Sequence, residues 1–206
     1  MDIYIARHGE THYNKEGRLQ GNGKNPPLTP KGIAQAQALG ETLKRITEGE
    51  AFDAVYSSTL TRASDTAEIA VGNTVKPIQD PRIVEIGLGE MEGMLYSEAE
   101  KAFPELWGKL ADPANYTPPP RGEDLTDMIA RVGSFLDDLV QTGHRRVLVV
   151  THGYTMRVFQ ACSMGGAVED LGRTHKYGNC DIAHYRYENH RWTLLEALRP
   201  VATGPS

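Results

Sequence analysis

The chain has 206 residues, 39% of them apolar and 24% charged, and a net charge of −5. That is enough for one sizeable core, and no low-complexity linker divides it. The negative balance argues against nucleic acid or an anionic membrane as main partner, because both need a broad basic surface, so an anionic ligand would require positive charge concentrated locally. No apolar run approaches the roughly 18 residues that cross a bilayer, and the first residues already read as a strand, which predicts a cytoplasmic protein. Cys162 and Cys180 belong to no CxxC pair and are expected as thiols in the core.

In chain order, Ile3 and Ile5 alternate with Asp2 and Tyr4 as a buried strand would, and the pattern ends at Arg7-His8-Gly9. Residues 12–28, rich in glycine and proline, are expected as a loop. Thr29-Pro30 makes a helix start, with Thr29 as N-cap and an apolar face from Ile33 to Ile46 that Gly49 closes. Phe52–Ser57 reads as a second strand and Leu60–Ala70 as a helix capped by Ser58 or Thr59, with Arg62 in its first turn and Gly72-Asn73 as its stop. Val75–Ile78 and Arg82–Ile86 are short strand candidates. Gly87, Gly89 and Gly93 interleave with Glu90 and Glu92 in an acidic turn. Ser97–Leu110 predicts a helix interrupted by Pro104, and residues 112–121 hold four prolines, so residues 91–121 are assigned as an inserted lid. A long amphipathic helix over Leu125–Leu139 precedes the strand Arg146–Thr151, whose consecutive apolar residues suggest burial on both faces. It ends in His152-Gly153, and a helix resumes from Tyr154 to Cys162. Asp181–Tyr187 and Trp192–Ala197 read as a hairpin, and residues 199–206 as a fraying tail.

Strand and helix alternate over most of the length, which predicts an α/β protein with helices on both faces of a sheet. In such sheets ligands bind at the carboxyl ends of the strands. Arg7, His8, Arg62 and His152 all fall at such ends or in the helix turn that follows. Two guanidiniums and two imidazoles make a cationic pocket, and the planar donor fork of arginine matches phosphate oxygens.

Arg7-His8-Gly9-Glu10-Thr11, Asn14, Leu28-Thr29-Pro30-Lys31-Gly32, Ser57–Ala63, the Glu85–Gly93 segment and Thr151-His152-Gly153 together resemble the histidine phosphatase superfamily, also called phosphoglycerate mutase-like. The resemblance runs in order from residue 3 to about residue 187. It implies a three-layer α/β/α sandwich with a mostly parallel central sheet and the inserted lid, as one domain over residues 1–198. It makes His8 the nucleophile that becomes a phosphohistidine, and Glu85 the proton donor, with Glu90 and Glu92 as competitors. Arg7, Arg62 and His152 would neutralise the transferring phosphoryl, with Asn14 and Gly153 as further phosphate contacts. The scheme needs no metal and no cofactor. Glu10 is expected to anchor the loop.

The mutase branch of that family carries a longer insertion with paired arginines for the substrate carboxylate. This chain offers only Lys101, Lys109 and Arg121 as lid cations. A phosphomonoesterase acting on a small phosphorylated metabolite is therefore favoured over a cofactor-dependent phosphoglycerate mutase, and both over a non-catalytic phospholigand-binding protein. Met91, Tyr96, Trp107 and Tyr116 could shape the leaving-group site, and His12 and His175 could approach its rim. His144, His184 and His190 read as surface or hairpin residues. The chain is expected as a monomer or homodimer.

Overall fold

In the computed structural model, which describes residues 1–72, 75–110 and 112–200, six strands make one sheet. They are Asp2–Arg7 (β1), Ala54–Ser58 (β2), Ile78–Asp80 (β3), Arg146–Thr151 (β4), Ile182–Glu188 (β5) and Arg191–Leu198 (β6). Their order is β3-β2-β4-β1-β5-β6; the first four run parallel and β5 and β6 close the edge as an antiparallel hairpin. Parallel strands need crossovers, supplied by Pro30–Ile46 (α2), Thr61–Ala70 (α3) and Leu125–Gln141 (α6), while Gly153–Met164 (α7) leads from β4 to the antiparallel β5. His12–Glu16 (α1), Tyr96–Ala102 (α4) and Pro104–Trp107 (α5) are short.

The period of two along the strands divides the core between the faces. Ile3, Ile5, Val147 and Val149 pack with Phe135, Leu139 and Phe159 of α6 and α7. Tyr4, Ala6, Leu148 and Val150 pack with Leu39, Leu43, Ala63 and Ala67 of α2 and α3. The result is helix, sheet, helix in three layers. Cys180 is buried and Cys162 packs against the core, both as free thiols, and burial pushes them up to about 12 and about 11.

Several local expectations need correction. Residues 12–28 are not all loop, because Thr11 caps α1 in a reciprocal pair with Asn14. No strand forms over Arg82–Ile86: Pro81 lacks an N–H, the Asp80 side chain accepts from Arg82 N at 2.8 Å, and Pro81–Ile83 becomes a 3-10 turn. The strand expected at Val75–Ile78 lies instead at Ile78–Asp80, paired with Tyr56–Ser58. Neither Ser58 nor Thr59 caps α3; its N-cap is Leu60, and Ser58 Oγ accepts from Leu60 N at 3.2 Å. Thr29 does cap α2, accepting from Gly32 N, and Pro104 opens α5 at its first turn. Asn73 and residues 201–206 of the expected tail lie outside the described residues.

Candidate active site

The register sets the site. Arg7 pairs with Thr151, so β1 and β4 end level, and His8 N donates to Thr151 O at 2.9 Å. His8 and His152 are thereby neighbours, with ring centroids 5.2 Å apart and planes at 61°. The turn after β1 is locked from below: Gly9 N donates to Thr66 Oγ1 of α3 at 3.0 Å, and a Cβ on Gly9 would fall 2.5 Å from Gly32 O of α2. Only glycine allows that approach. Glu10 anchors the loop as expected, bound to Lys31 Nζ at 2.8 Å and Thr29 Oγ1 at 3.0 Å.

His8 Nδ1 lies 2.7 Å from Gly9 O. A carbonyl can only accept, so Nδ1 carries the proton and Nε2 holds the lone pair. Burial, with only 2% of the residue exposed, and the Arg62 and Arg7 charges hold this imidazole well below its ordinary 6.5. His152 is fully buried and shifted the same way, by burial first and then by Arg62 and His8. Its Nε2 meets Ser58 Oγ at 2.8 Å.

Arg62 is also fully buried, from the first turn of α3, and donates to Gly21 O at 2.7 Å and Lys24 O at 2.8 Å. Burial pulls it down to about 10, with Glu85 opposing and Arg7 adding to the shift, so it remains a cation at neutral pH. Arg7 donates to Tyr177 O at 2.8 Å and is lowered by burial. Among the described residues, Arg7 Nε, Arg62 Nε and His152 Nδ1 are buried without a hydrogen-bond partner. Buried donors left unpaired cost about 1–3 kcal/mol each, and such a cluster marks a place that an acceptor completes.

Arg7, Arg62, Asn14, Gly153 and Glu85 line one cavity of about 300 Å³, with the buried His8 and His152 beside the two arginines at its floor. Asn14 spends its carbonyl oxygen on Thr11 N and Asn179 Nδ2, both at 3.2 Å. Glu85 sits against the start of α7, where its carboxyl oxygens accept from Tyr154 N at 3.2 Å and Thr155 N at 3.3 Å. Its competitors are committed elsewhere. Glu92 accepts from Asn22 N, Gly23 N and Leu88 N, and Glu90 pairs with Arg121 at 3.1 Å.

Of the four lid side chains, Tyr96 and Tyr116 line the cavity, whereas Met91 is in the core and Trp107 packs its ring 5.9 Å from that of Tyr96 without lining the cavity. His12 and His175 are not at the rim: His12 is exposed on α1, and His175 is held to Gln160 at 2.9 Å through its backbone N–H. Sequence reasoning missed Arg131, Arg157, Arg18 and Lys176. The last three line the cavity. Arg131 holds the Glu85 segment, donating to Arg82 O, Val84 O and Glu85 O while pairing with Glu123 at 2.6 Å. Arg157 could have been noticed as the residue one helical turn beyond Gly153; Arg131 and Lys176 carry no local signal. Among the described residues no group of three or more His, Cys, Asp or Glu side chains could hold a metal ion, and no helix is long and apolar enough to cross a membrane.

A family model for the histidine phosphatase superfamily, branch 1, matches residues 3–198. Phosphoserine phosphatase 1 of Hydrogenobacter thermophilus is 34% identical over 188 residues, 90% of this chain and 84% of that protein. The 2,3-bisphosphoglycerate-dependent phosphoglycerate mutase of a Methylobacterium strain is 32% identical, over 75% of this chain and 76% of its own. The solved structure of Bacillus stearothermophilus YhfR superimposes with a TM-score of 0.84 at 30% identity, covering 94% of this chain and 95% of that one. The chain belongs to the histidine phosphatase superfamily.

Proposed function

We propose that this member of the histidine phosphatase superfamily, a phosphatase of the histidine type, hydrolyses the monoester of a small phosphorylated metabolite through a phosphohistidine on His8, without a metal ion. One observation carries the reading. The hydrogen bond from Nδ1 to Gly9 O leaves the Nε2 lone pair of a neutral imidazole beside two guanidiniums whose Nε–H groups are unpaired. Substrate phosphate oxygens take up the donors of Arg7, Arg62 and His152, with the Asn14 amide adding a neutral one. For His152 to donate through Nδ1, the Ser58 hydroxyl donates into Nε2. Nε2 of His8 attacks phosphorus in line with the ester oxygen, the P–O bond breaks, and Glu85 delivers a proton to the leaving oxygen. Water then attacks the phosphohistidine, gives its proton to Glu85, and the P–N bond breaks to release inorganic phosphate.

Relatives include both a phosphoserine phosphatase and a mutase. We favour hydrolysis because the lid's own cations, Lys101, Lys109 and Arg121, do not line the cavity; the further cations that do, Arg18, Arg157 and Lys176, lie outside residues 91–121. Expected are turnover of para-nitrophenyl phosphate in excess EDTA between pH 5 and 8, and little interconversion of 2- and 3-phosphoglycerate with 2,3-bisphosphoglycerate present. No hydrolysis anywhere in that range would remove the reading.

A further inference from the structure

Glu92 does not line the cavity, yet three backbone N–H groups converge on its carboxylate. Its Oε1 accepts from Asn22 N at 3.1 Å and Leu88 N at 3.0 Å, and its Oε2 from Gly23 N at 2.9 Å. The approach is close: a Cβ on Gly21 or on Gly23 would overlap the Glu92 carboxylate. The carbonyls of the same loop are spent on Arg62. Gly21 O accepts from its Nη2 at 2.7 Å and Lys24 O from its Nη1 at 2.8 Å. The Gly21–Asn22 peptide is therefore shared, with its C=O on Arg62 and its N–H on Glu92. A peptide unit is planar, so an anchor on one side of it fixes the direction of the other. With both Nη groups held, Arg62 Nε is left buried and unpaired in a residue that lines the cavity. Burial lowers Arg62, and the charges of Glu85 and then Glu92 oppose that shift.

We infer that Glu92 is a positioning residue for the phosphate-binding arginine: through the Gly21–Asn22 peptide it sets where the Arg62 guanidinium meets the phosphoryl oxygens. The inference rests on the phosphatase reading for the identity of that ligand. Residues 21–24 belong to no helix or strand, so their carbonyls must be aimed from outside. Two anchors do this. Asn25 Oδ1 accepts from Thr61 N at 3.0 Å and ties the loop to the helix that carries Arg62. Glu92 ties it to Leu88, three residues beyond Glu85. One carboxylate thus holds the arginine loop and the segment of the proton donor in register. Glu92→Gln keeps the size of the side chain, but either orientation of the amide sets its NH2 against a backbone N–H, donor facing donor. A misplacement of about 1 Å at a reacting centre can cost as much as about a hundredfold in rate.

The test combines turnover with calorimetric binding of inorganic phosphate. In Glu92→Gln, kcat/KM should fall about tenfold for para-nitrophenyl phosphate and phenyl phosphate alike, and phosphate should bind about tenfold more weakly. Glu85→Gln should instead slow phenyl phosphate the more, because the poorer leaving group needs the proton. The double variant Glu92→Gln/Arg62→Lys separates positioning from general loosening. If Glu92 acts through Arg62, the double variant should be little worse than Arg62→Lys alone, whereas independent effects multiply. Gly23→Ala guards against a folding defect in Glu92→Gln. Gly23 is exposed and its φ lies outside the left-handed region, so alanine fits the backbone while its methyl group pushes the Glu92 carboxylate aside. Phosphate affinity should then fall severalfold with every charge retained. If the wild type hydrolyses neither ester but the phosphate affinities follow this pattern, the positioning role stands and the phosphatase reading fails. With hydrolysis present in the wild type, three results would each overturn the inference and leave the phosphatase standing: multiplying effects in the double variant, a Glu92→Gln loss confined to phenyl phosphate, or unchanged phosphate affinity in both Glu92→Gln and Gly23→Ala.

Discussion

The floor of the cavity and its outer wall are built in opposite ways. On the floor, Arg62, His8 and His152 are almost wholly buried, their backbones belong to the ends of β1 and β4 and the first turn of α3, and their side chains are aimed by main-chain carbonyls at Arg62 and His8 and by the Ser58 hydroxyl at His152. The wall supplied by residues 91–121 consists of helices four to seven residues long and proline-rich turns, with Tyr96 45% and Arg121 81% exposed. A floor of that kind holds charges in one geometry, which is what stabilising a transferring phosphoryl demands. A wall of short, lightly held elements can change its side chains at small cost to the fold. In the proposed reading, conversion belongs to the floor and the shape of the leaving group to the wall.

That contrast can be broken most severely at Arg62. Arg62→Lys keeps a charge but loses the fork that reaches Gly21 O, Lys24 O and the phosphate together. A loss in kcat/KM of about 10²–10³ is expected for every substrate, the usual cost of removing one preorganised donor; steady-state assays that find less than about tenfold would show the floor to be adaptable. The next effect is on stability. His8 and His152 both have folded-state values well below 6.5. Below the ordinary value the unfolded chain therefore binds more protons than the folded one. Stability from these groups is fully present above pH 6.5 and declines as pH falls beneath it, by up to about 1.4 kcal/mol per pH unit for each histidine. Denaturant titrations between pH 7 and 5 should show that slope, and His152→Asn should lessen it by about one proton. Residues 91–121 contain no histidine. Smallest is the wall. Tyr116→Phe removes one hydrogen bond to Glu123 O at 3.1 Å, so Tm should drop by about 2–4 °C for a loss near 1 kcal/mol. A hundredfold loss of kcat there would erase the distinction.

The same division separates what the sequence reveals from what it conceals. His8 and His152 can be paired from sequence because two strands of alternating or continuous apolar residues each stop at a His-Gly step, and parallel strands share an edge. The start of α2 is legible in Thr29-Pro30, and the break between α4 and α5 in Pro104. What was hidden depends on distant partners. Arg131 gives no local sign that it will reach three carbonyls of residues 82–85 and fix Glu85. Glu92 stands second to Glu85 in the sequence, and nothing local foretells that its carboxylate will accept from the backbone N–H groups of Asn22 and Gly23. Arg82–Ile86 has strand composition, and the Asp80 cap and Pro81 override it. Apolar periodicity reports which face is buried; it does not say which acid or cation finds a partner across the cavity.

The central claim is that Nε2 of His8 takes the phosphoryl group. Rapid quench of the wild type with a ³²P-labelled monoester at neutral pH, followed by digestion and identification of the labelled peptide, tests it directly. The account predicts an acid-labile, base-stable label on the peptide containing His8, present in Glu85→Gln and absent in His8→Ala. A label on another residue, or hydrolysis at the wild-type rate by His8→Ala, would contradict it.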